Sequence, residues 1–157
     1  MTAPSMRLRI ICEGKTKDEH LRALQSDYAA RIGHFTSLQV EEILATVGRR
    51  RKDQLTAAER RMLEKAKDSR RIVLDQRGQD WTSTEFARWM AANAAAGTRE
   101  MVFLVGGPDG FSQAFRKKAD LMLSLSRMTL TRDWARTLLL EQIDRSFTME
   151  RGYPYAR

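Results

Sequence analysis

The run MVFLV at 101–105, followed at once by GGPDGF, constrains this chain more than any other stretch. Five consecutive apolar residues leave a strand without a polar face, so both sides must be covered, as in a parallel sheet clad by helices. The glycines and proline then end the strand abruptly. Three roles are open to GGPDG: a strand-to-helix turn, a phosphate cradle, or a rim where another cofactor lies against bare backbone. The phosphate reading fares worst. A triphosphate loop needs a lysine and a hydroxyl at fixed spacing, and G-x-G-x-x-G is absent because Gly106 and Gly107 are adjacent. Pro108 also removes an amide donor where an anion would use one. Turn and rim remain open on residue chemistry alone.

The rest of the chain alternates in the way such a strand requires. Met6 to Cys12 reads as a strand closed by Glu13 and Gly14, and Asp18 to Ile32 as a helix with Leu21, Leu24, Tyr28 and Ile32 at helical spacing. Thr36 to Leu44 returns to a strand, and TVGRRRKDQ is an exposed basic loop. A second helix is expected from Asp53 to Lys67 and a third strand in RRIVLDQRG. Thr82-Ser-Thr-Glu85 matches a capping box, opening a helix that turns Phe86, Trp89 and Met90 inward. From Phe111 a helix is expected to about Asp120, then a short strand and irregular loop in LMLSLSRMTLT, then a last helix from Arg132 to Arg151. Strand and helix in alternation predict a parallel α/β sheet, 101–105 its central strand, with ligands beyond the carboxyl ends of the strands. LDQRG at 74–78 and VGGPDG at 105–110 share one rim if their strands are neighbours.

A chain of 157 residues suits one domain, 1–157. No apolar run spans a bilayer and no secretory signal opens the chain, so a cytoplasmic location without membrane attachment is expected. The single cysteine, Cys12, lies in a strand and reads as a buried, unreactive thiol. His20 and His34 lack the spacing of a metal site, and no serine-nucleophile elbow is present. Lysine and arginine number 28 against 20 acidic residues, for a net charge of +8, which favours a polyanionic partner. The charge gathers in GRRRK, KAKDSRR and RKK. The last helix carries Trp134, Leu138, Leu139, Leu140, Ile143 and Phe147, an apolar face broad enough to serve a symmetric dimer.

Together, LVGGPDGFS, LSLSRMTLTRDWARTLLLEQIDRSF and RGYPYAR resemble the bacterial ribosomal RNA large subunit methyltransferase H family, of the SPOUT class, and the resemblance runs nearly the full chain. It implies an α/β fold with a C-terminal trefoil knot and flanking helices, a homodimer, S-adenosylmethionine as methyl donor, and 23S ribosomal RNA in the assembled ribosome as partner. The implied product is N3-methylpseudouridine. Carried over by motif, the cofactor-binding residues are Leu74, Gly106, Leu125, Ser126, Arg127, Met128, Thr129 and Leu130, and the tail residues Tyr155 and Arg157 approach the target base. The sequence departs from the family's pattern where Thr131 and Arg132 stand for a usual proline and histidine, and where Ala156 stands for a usual histidine. Rival readings are another knotted RNA methyltransferase, acting on tRNA or a ribose hydroxyl, and a ribosome-binding factor without catalysis.

Overall fold

The structure is a computed structural model and describes residues 6–48, 50–51 and 53–155. Its five strands are β1 (Arg7–Glu13), β2 (Leu38–Ile43), β3 (Arg70–Asp80), β4 (Glu100–Val105) and β5 (Leu121–Ser124). Its helices are α1 (Glu19–Ile32), α2 (Ala57–Lys65), α3 (Ser83–Ala95), α4 (Gln113–Arg116) and α5 (Arg132–Glu150). The strands form one sheet in the order β2-β1-β4-β3-β5, with every pairing parallel. β4 is the middle strand, as its five apolar residues demand, and Met101 to Val105 are all buried.

Alternation along β4 divides the core. Met101, Phe103 and Val105 join Leu8, Ile10 and Cys12 of β1 on one face, under α1, α3 and α5. Val102 and Leu104 join Ile11 and Val73 on the other, under Ala58 and Met62 of α2 and the stacked rings of Phe111 and Phe115. Each such side chain removed from water contributes about 1.5–3 kcal/mol, so the sheet is held from both sides. Phe86 and Met90 of α3 are buried as expected and Trp89 packs against the same cluster.

Helix ends follow local chemistry. The capping box at Thr82 and Glu85 forms, and a second T-x-x-E at Thr56 and Glu59 starts α2. That cap places the start of α2 at Ala57 rather than Asp53. The expected helix from Phe111 to Asp120 shrinks to the four residues of α4. The cause lies beyond its own sequence: the Asp120 amide donates to the Arg71 carbonyl at 2.9 Å, and the Arg71 amide donates to the Asp120 carboxylate at 2.8 Å. These bonds pull the chain out of the helix and into β5 beside β3.

β3 runs past its neighbours and bulges between Leu74 and Gln79, both of which lie opposite Leu123. Within the bulge, Gly78 lies directly on β5. A Cβ at this position would stand 2.4 Å from the Met122 carbonyl carbon. No helix among the described residues is long and apolar enough to cross a membrane.

Candidate functional site

The exits of β3, β4 and β5 converge on one cavity of about 760 Å³, a size suited to a cofactor-sized molecule. Leu74 to Arg77 form one wall, Val105 to Phe111 the second, and Leu123 to Ser126 with Met128 to Thr131 the third. Lys17, Arg132, Asp133 and Ala135 complete it from α5 and the entry to α1. The two exits expected to share a rim do so, because β3 and β4 are hydrogen-bonded neighbours.

The glycine loop is both a turn and a rim. The Gly110 amide donates to the Gly107 carbonyl at 3.0 Å, with Pro108 and Asp109 between them, and Gly110 adopts φ +69°. Proline at the second turn position and glycine at the fourth are the residues such a turn favours. At Gly106 an added Cβ would come 3.3 Å from Gly110 and 3.4 Å from the Phe111 ring. The bare backbone therefore serves first to let the loop fold onto its own Phe111.

Two buried carboxylates that strand patterning left unassigned hold this loop. Glu13, at the end of β1 and fully buried, accepts from the Gly107 amide at 3.3 Å, the Thr46 amide at 3.0 Å and the Arg50 guanidinium at 2.9 Å. Arg50 also donates to the Gly110 carbonyl at 3.3 Å and lies 3.5 Å from the Asp109 carboxylate. Glu59, besides capping α2, accepts from the Ser112 amide and hydroxyl, both at 2.7 Å. In the sequence the one signal for Glu13 was an acid directly after the apolar run Ile10-Ile11-Cys12. Nothing marked Glu59 beyond its capping box.

The alternating hydroxyls of SLSRMTL organise their own loop. Ser124 Oγ donates to the Ser126 carbonyl at 3.0 Å, Ser126 Oγ accepts from the Met128 amide at 2.9 Å, and Gln76 Nε2 donates to Thr129 Oγ1 at 3.2 Å. Short polar side chains that bond nearby backbone favour such irregular turns over helix. The last of these bonds ties the β3 exit to the β5 exit.

Of the residues singled out for the cofactor, Leu74, Gly106, Leu125, Ser126, Met128, Thr129 and Leu130 line the cavity. Arg127 does not: its side chain is 90% exposed and reaches the Asp80 carboxylate at 3.2 Å. Tyr155 lies elsewhere, in a second cavity of about 520 Å³ with Phe35, Asp144 and Tyr153. Its hydroxyl donates to Glu141 at 3.1 Å, its ring lies under the Arg145 guanidinium, and burial together with the Glu141 and Asp144 carboxylates pushes its ionisation upward. Arg157 and Ala156 fall outside the described residues. Cys12 is buried, and burial pushes its thiol up to about 12. Among the described residues no group of three histidines, cysteines or carboxylates could hold a metal ion.

Comparison with known proteins places this geometry. A family model described as "Predicted SPOUT methyltransferase" matches residues 6–156. A protein of Geotalea daltonii named ribosomal RNA large subunit methyltransferase H is 40% identical over 159 residues, covering 96% of this chain and 99% of its own. One of the same name from Geobacter metallireducens is 40% identical over 152 residues, covering 96% and 98%. Among solved structures, a putative methylase family protein from Neisseria gonorrhoeae superposes with a TM-score of 0.56 at 12% identity, covering 97% of this chain and 86% of that one. The SpoU methyltransferase AviRb from Streptomyces viridochromogenes, solved with AdoMet, superposes with a TM-score of 0.50 at 14% identity, covering 98% and 61%. The structural likenesses speak to the fold, and the sequence matches, spanning nearly the whole chain, show that it belongs to the SPOUT methyltransferase family.

Proposed function

We propose that the chain is a single-domain S-adenosylmethionine-dependent methyltransferase that modifies N3 of a pseudouridine in 23S ribosomal RNA. The observation that carries this reading is the convergence of the β3, β4 and β5 exits on one cavity that sets glycine backbone and apolar side chains beside polar and charged ones. Such walls fit an adenine ring and a methionyl chain, and the lack of a lysine at phosphate-loop spacing fits a cofactor without a triphosphate. The relatives named as large-subunit ribosomal RNA methyltransferases support the substrate class, and the net charge of +8 agrees with it.

Bound S-adenosylmethionine supplies an electrophilic methyl group. This chain's part is to hold and orient. Leu74, Leu125 and Leu130 would hold the apolar parts and Gly106, Ser126, Met128 and Thr129 would meet the polar edges, while Arg127 stands outside the cavity with its side chain turned to solvent. Closing water out of this cavity raises the value of each oriented dipole within it.

Tyr155 and Arg157 act on the target from a second copy of the chain. Tyr155 bonds Glu141, nine residues along α5 from Arg132, which at 1.5 Å per residue is roughly 14 Å from the cavity's edge. A two-fold homodimer brings one tail to the other cavity, and the C-terminal segment forms the trefoil knot of the class. The protein works in the cytoplasm, on the assembled ribosome.

Calorimetry with S-adenosylmethionine, paired with mass spectrometry of ribosomal RNA from a deletion strain, tests the reading. Cofactor binding and one pseudouridine missing one methyl group are the expected results. Absence of cofactor affinity would replace the enzyme with a ribosome-binding factor of the same fold.

A further inference from the structure

Arg132 carries a charge that the fold uses only in part, against the buried Asp133 carboxylate. It is the first residue of α5, and its side chain, 17% exposed, crosses to the end of β1. There the guanidinium rests on Gly14, where an added Cβ would stand 2.8 Å from Nη1. Its ionic neighbour is the Asp133 carboxylate, at 3.8 Å, and among the described residues no hydrogen-bond acceptor meets it. Other charges around the cavity are committed or solvated. Arg77 bonds Asp75, Asp109 faces Arg50, and Lys17 is exposed. A guanidinium presents five donors, and here, among the described residues, none meets a protein acceptor or is sealed from solvent, so they stay open to a ligand in the cavity. A cation in the first turn of a helix also opposes the positive end of the helix dipole. The Asp133 pair and the Gly14 contact account for the course of the side chain but leave its hydrogen-bond donors open, and an anion in the cavity would meet them and offset the helix dipole.

The geometry points to Arg132 as the residue that binds the negative charge developing on the target base during methyl transfer. This rests on the methyltransferase reading above and adds to it a group acting from the same chain as the cavity. The residues assigned to the cofactor ring the exits of β4, β3 and β5, while Gly14 lies at the end of β1, on the opposite side of β4. The charged end of the cavity is thus left to the substrate. An N3 imide is a poor nucleophile while it keeps its proton. When that proton passes to water, negative charge spreads over N3 and the two flanking carbonyl oxygens, and it is discharged when N3 takes the methyl group. The bond from that methyl to the sulfonium sulfur breaks as the new one forms, its electron pair staying on sulfur in the thioether that leaves. A guanidinium stays protonated throughout, so Arg132 cannot be the base. It lowers the energy of the anion.

The test uses the full chain with Arg132→Met, which removes charge at similar volume, and Arg132→Lys, which keeps it. Binding of S-adenosylmethionine is measured by calorimetry, and methyl transfer is measured on ribosomes from the deletion strain across pH. We expect Arg132→Met to bind cofactor as the wild type does and to lose about 100-fold in kcat. Arg132→Lys should recover part of that. The loss should shrink as pH rises, because a base ionised by the medium needs less help. An Arg132→Met enzyme with wild-type kcat, or with the same loss at every pH, overturns the inference. So does a variant that keeps kcat but binds cofactor weakly, since the guanidinium would then hold the cofactor's carboxylate. Should Arg132→Met fail to fold, a fully inactive Arg132→Lys, folded by its melting curve, would likewise overturn charge as the operative property. A wild type that binds cofactor and transfers no methyl group instead removes the enzyme reading itself.

Discussion

A single methyl group at position 78 would have nowhere to go. The Gly78 backbone meets Met122 and Leu123 of β5 at distances no Cβ tolerates, and both contacts are main chain, which cannot swing aside. Gly78→Ala should lower stability by about 3 kcal/mol, or prevent folding, as read by urea denaturation; a loss below 0.5 kcal/mol would mean the strands separate easily. Cys12 makes a different prediction. Its thiol is raised from the ordinary 9.0 to about 12 by burial, so between those values the unfolded chain has released a proton that the folded chain retains. Stability should fall by about 1.4 kcal/mol per pH unit across that window and stay flat below it. Cys12→Ala should remove this slope between pH 9 and 10, below the range where Tyr155 adds its own, even though it costs stability at neutral pH, and thermal melts of both proteins from pH 7 to 10 would show it. The burial of Cys12 was legible in its apolar strand, whereas the limit at Gly78 was not: a glycine in LDQRG reads as a strand exit, and only tertiary contact sets a steric limit there.

At the scale of elements, the rim of the cavity is held by its neighbours. Glu13 joins the end of β1 to the glycine loop and, through Arg50, to the basic loop after β2. The pair is enclosed on one side, with Glu13 buried and Arg50 partly exposed, so removing either partner leaves a charge or a donor stranded. Glu13→Gln should cost about 1–3 kcal/mol and weaken cofactor binding about tenfold, because a carboxamide has one acceptor oxygen to serve the Gly107 amide on one side or the Thr46 amide and Arg50 on the other. Calorimetry showing unchanged affinity would make the contact purely structural. Elements whose signals are local were readable in advance: the capping box at Thr82, the end of α1 at Ile32, the apolar run of β4. The length of α4 was not, because Asp120 answers to Arg71, 49 residues away.

For the whole molecule, the basic clusters divide their labour. Arg50 is committed to Glu13, Arg71 donates to the Lys118 carbonyl, and Arg116 donates to the Phe111 carbonyl. Each cluster thus gives an arginine to the fold, and the salt dependence of ribosome binding should report fewer phosphate contacts than the 28 basic residues would suggest. Apolar surface is also left over. Trp134 is 47% exposed on α5, with Leu24 of α1 and Met149 of α5 also uncovered. Covering them is the part of a two-fold partner in the proposed dimer. Sedimentation at micromolar concentration should show a dimer that Trp134→Glu weakens, and a stable monomer would remove Tyr155 from any role at the cavity.

What the sequence determined by itself was the class of fold and the kind of ligand it refuses. An apolar run with no polar face requires a covered parallel strand, and glycines with a proline and no lysine lack what a triphosphate loop uses; both follow from the chemistry of adjacent residues. Only the tertiary structure decided which residues meet. Glu13 reaches Gly107, Gln76 reaches Thr129 and Arg132 reaches Gly14 because β1, β4, β3 and β5 lie side by side in an order unlike that of the chain. Local patterns specify elements within a few residues, whereas a cavity formed by strands far apart in sequence depends on how those elements pack.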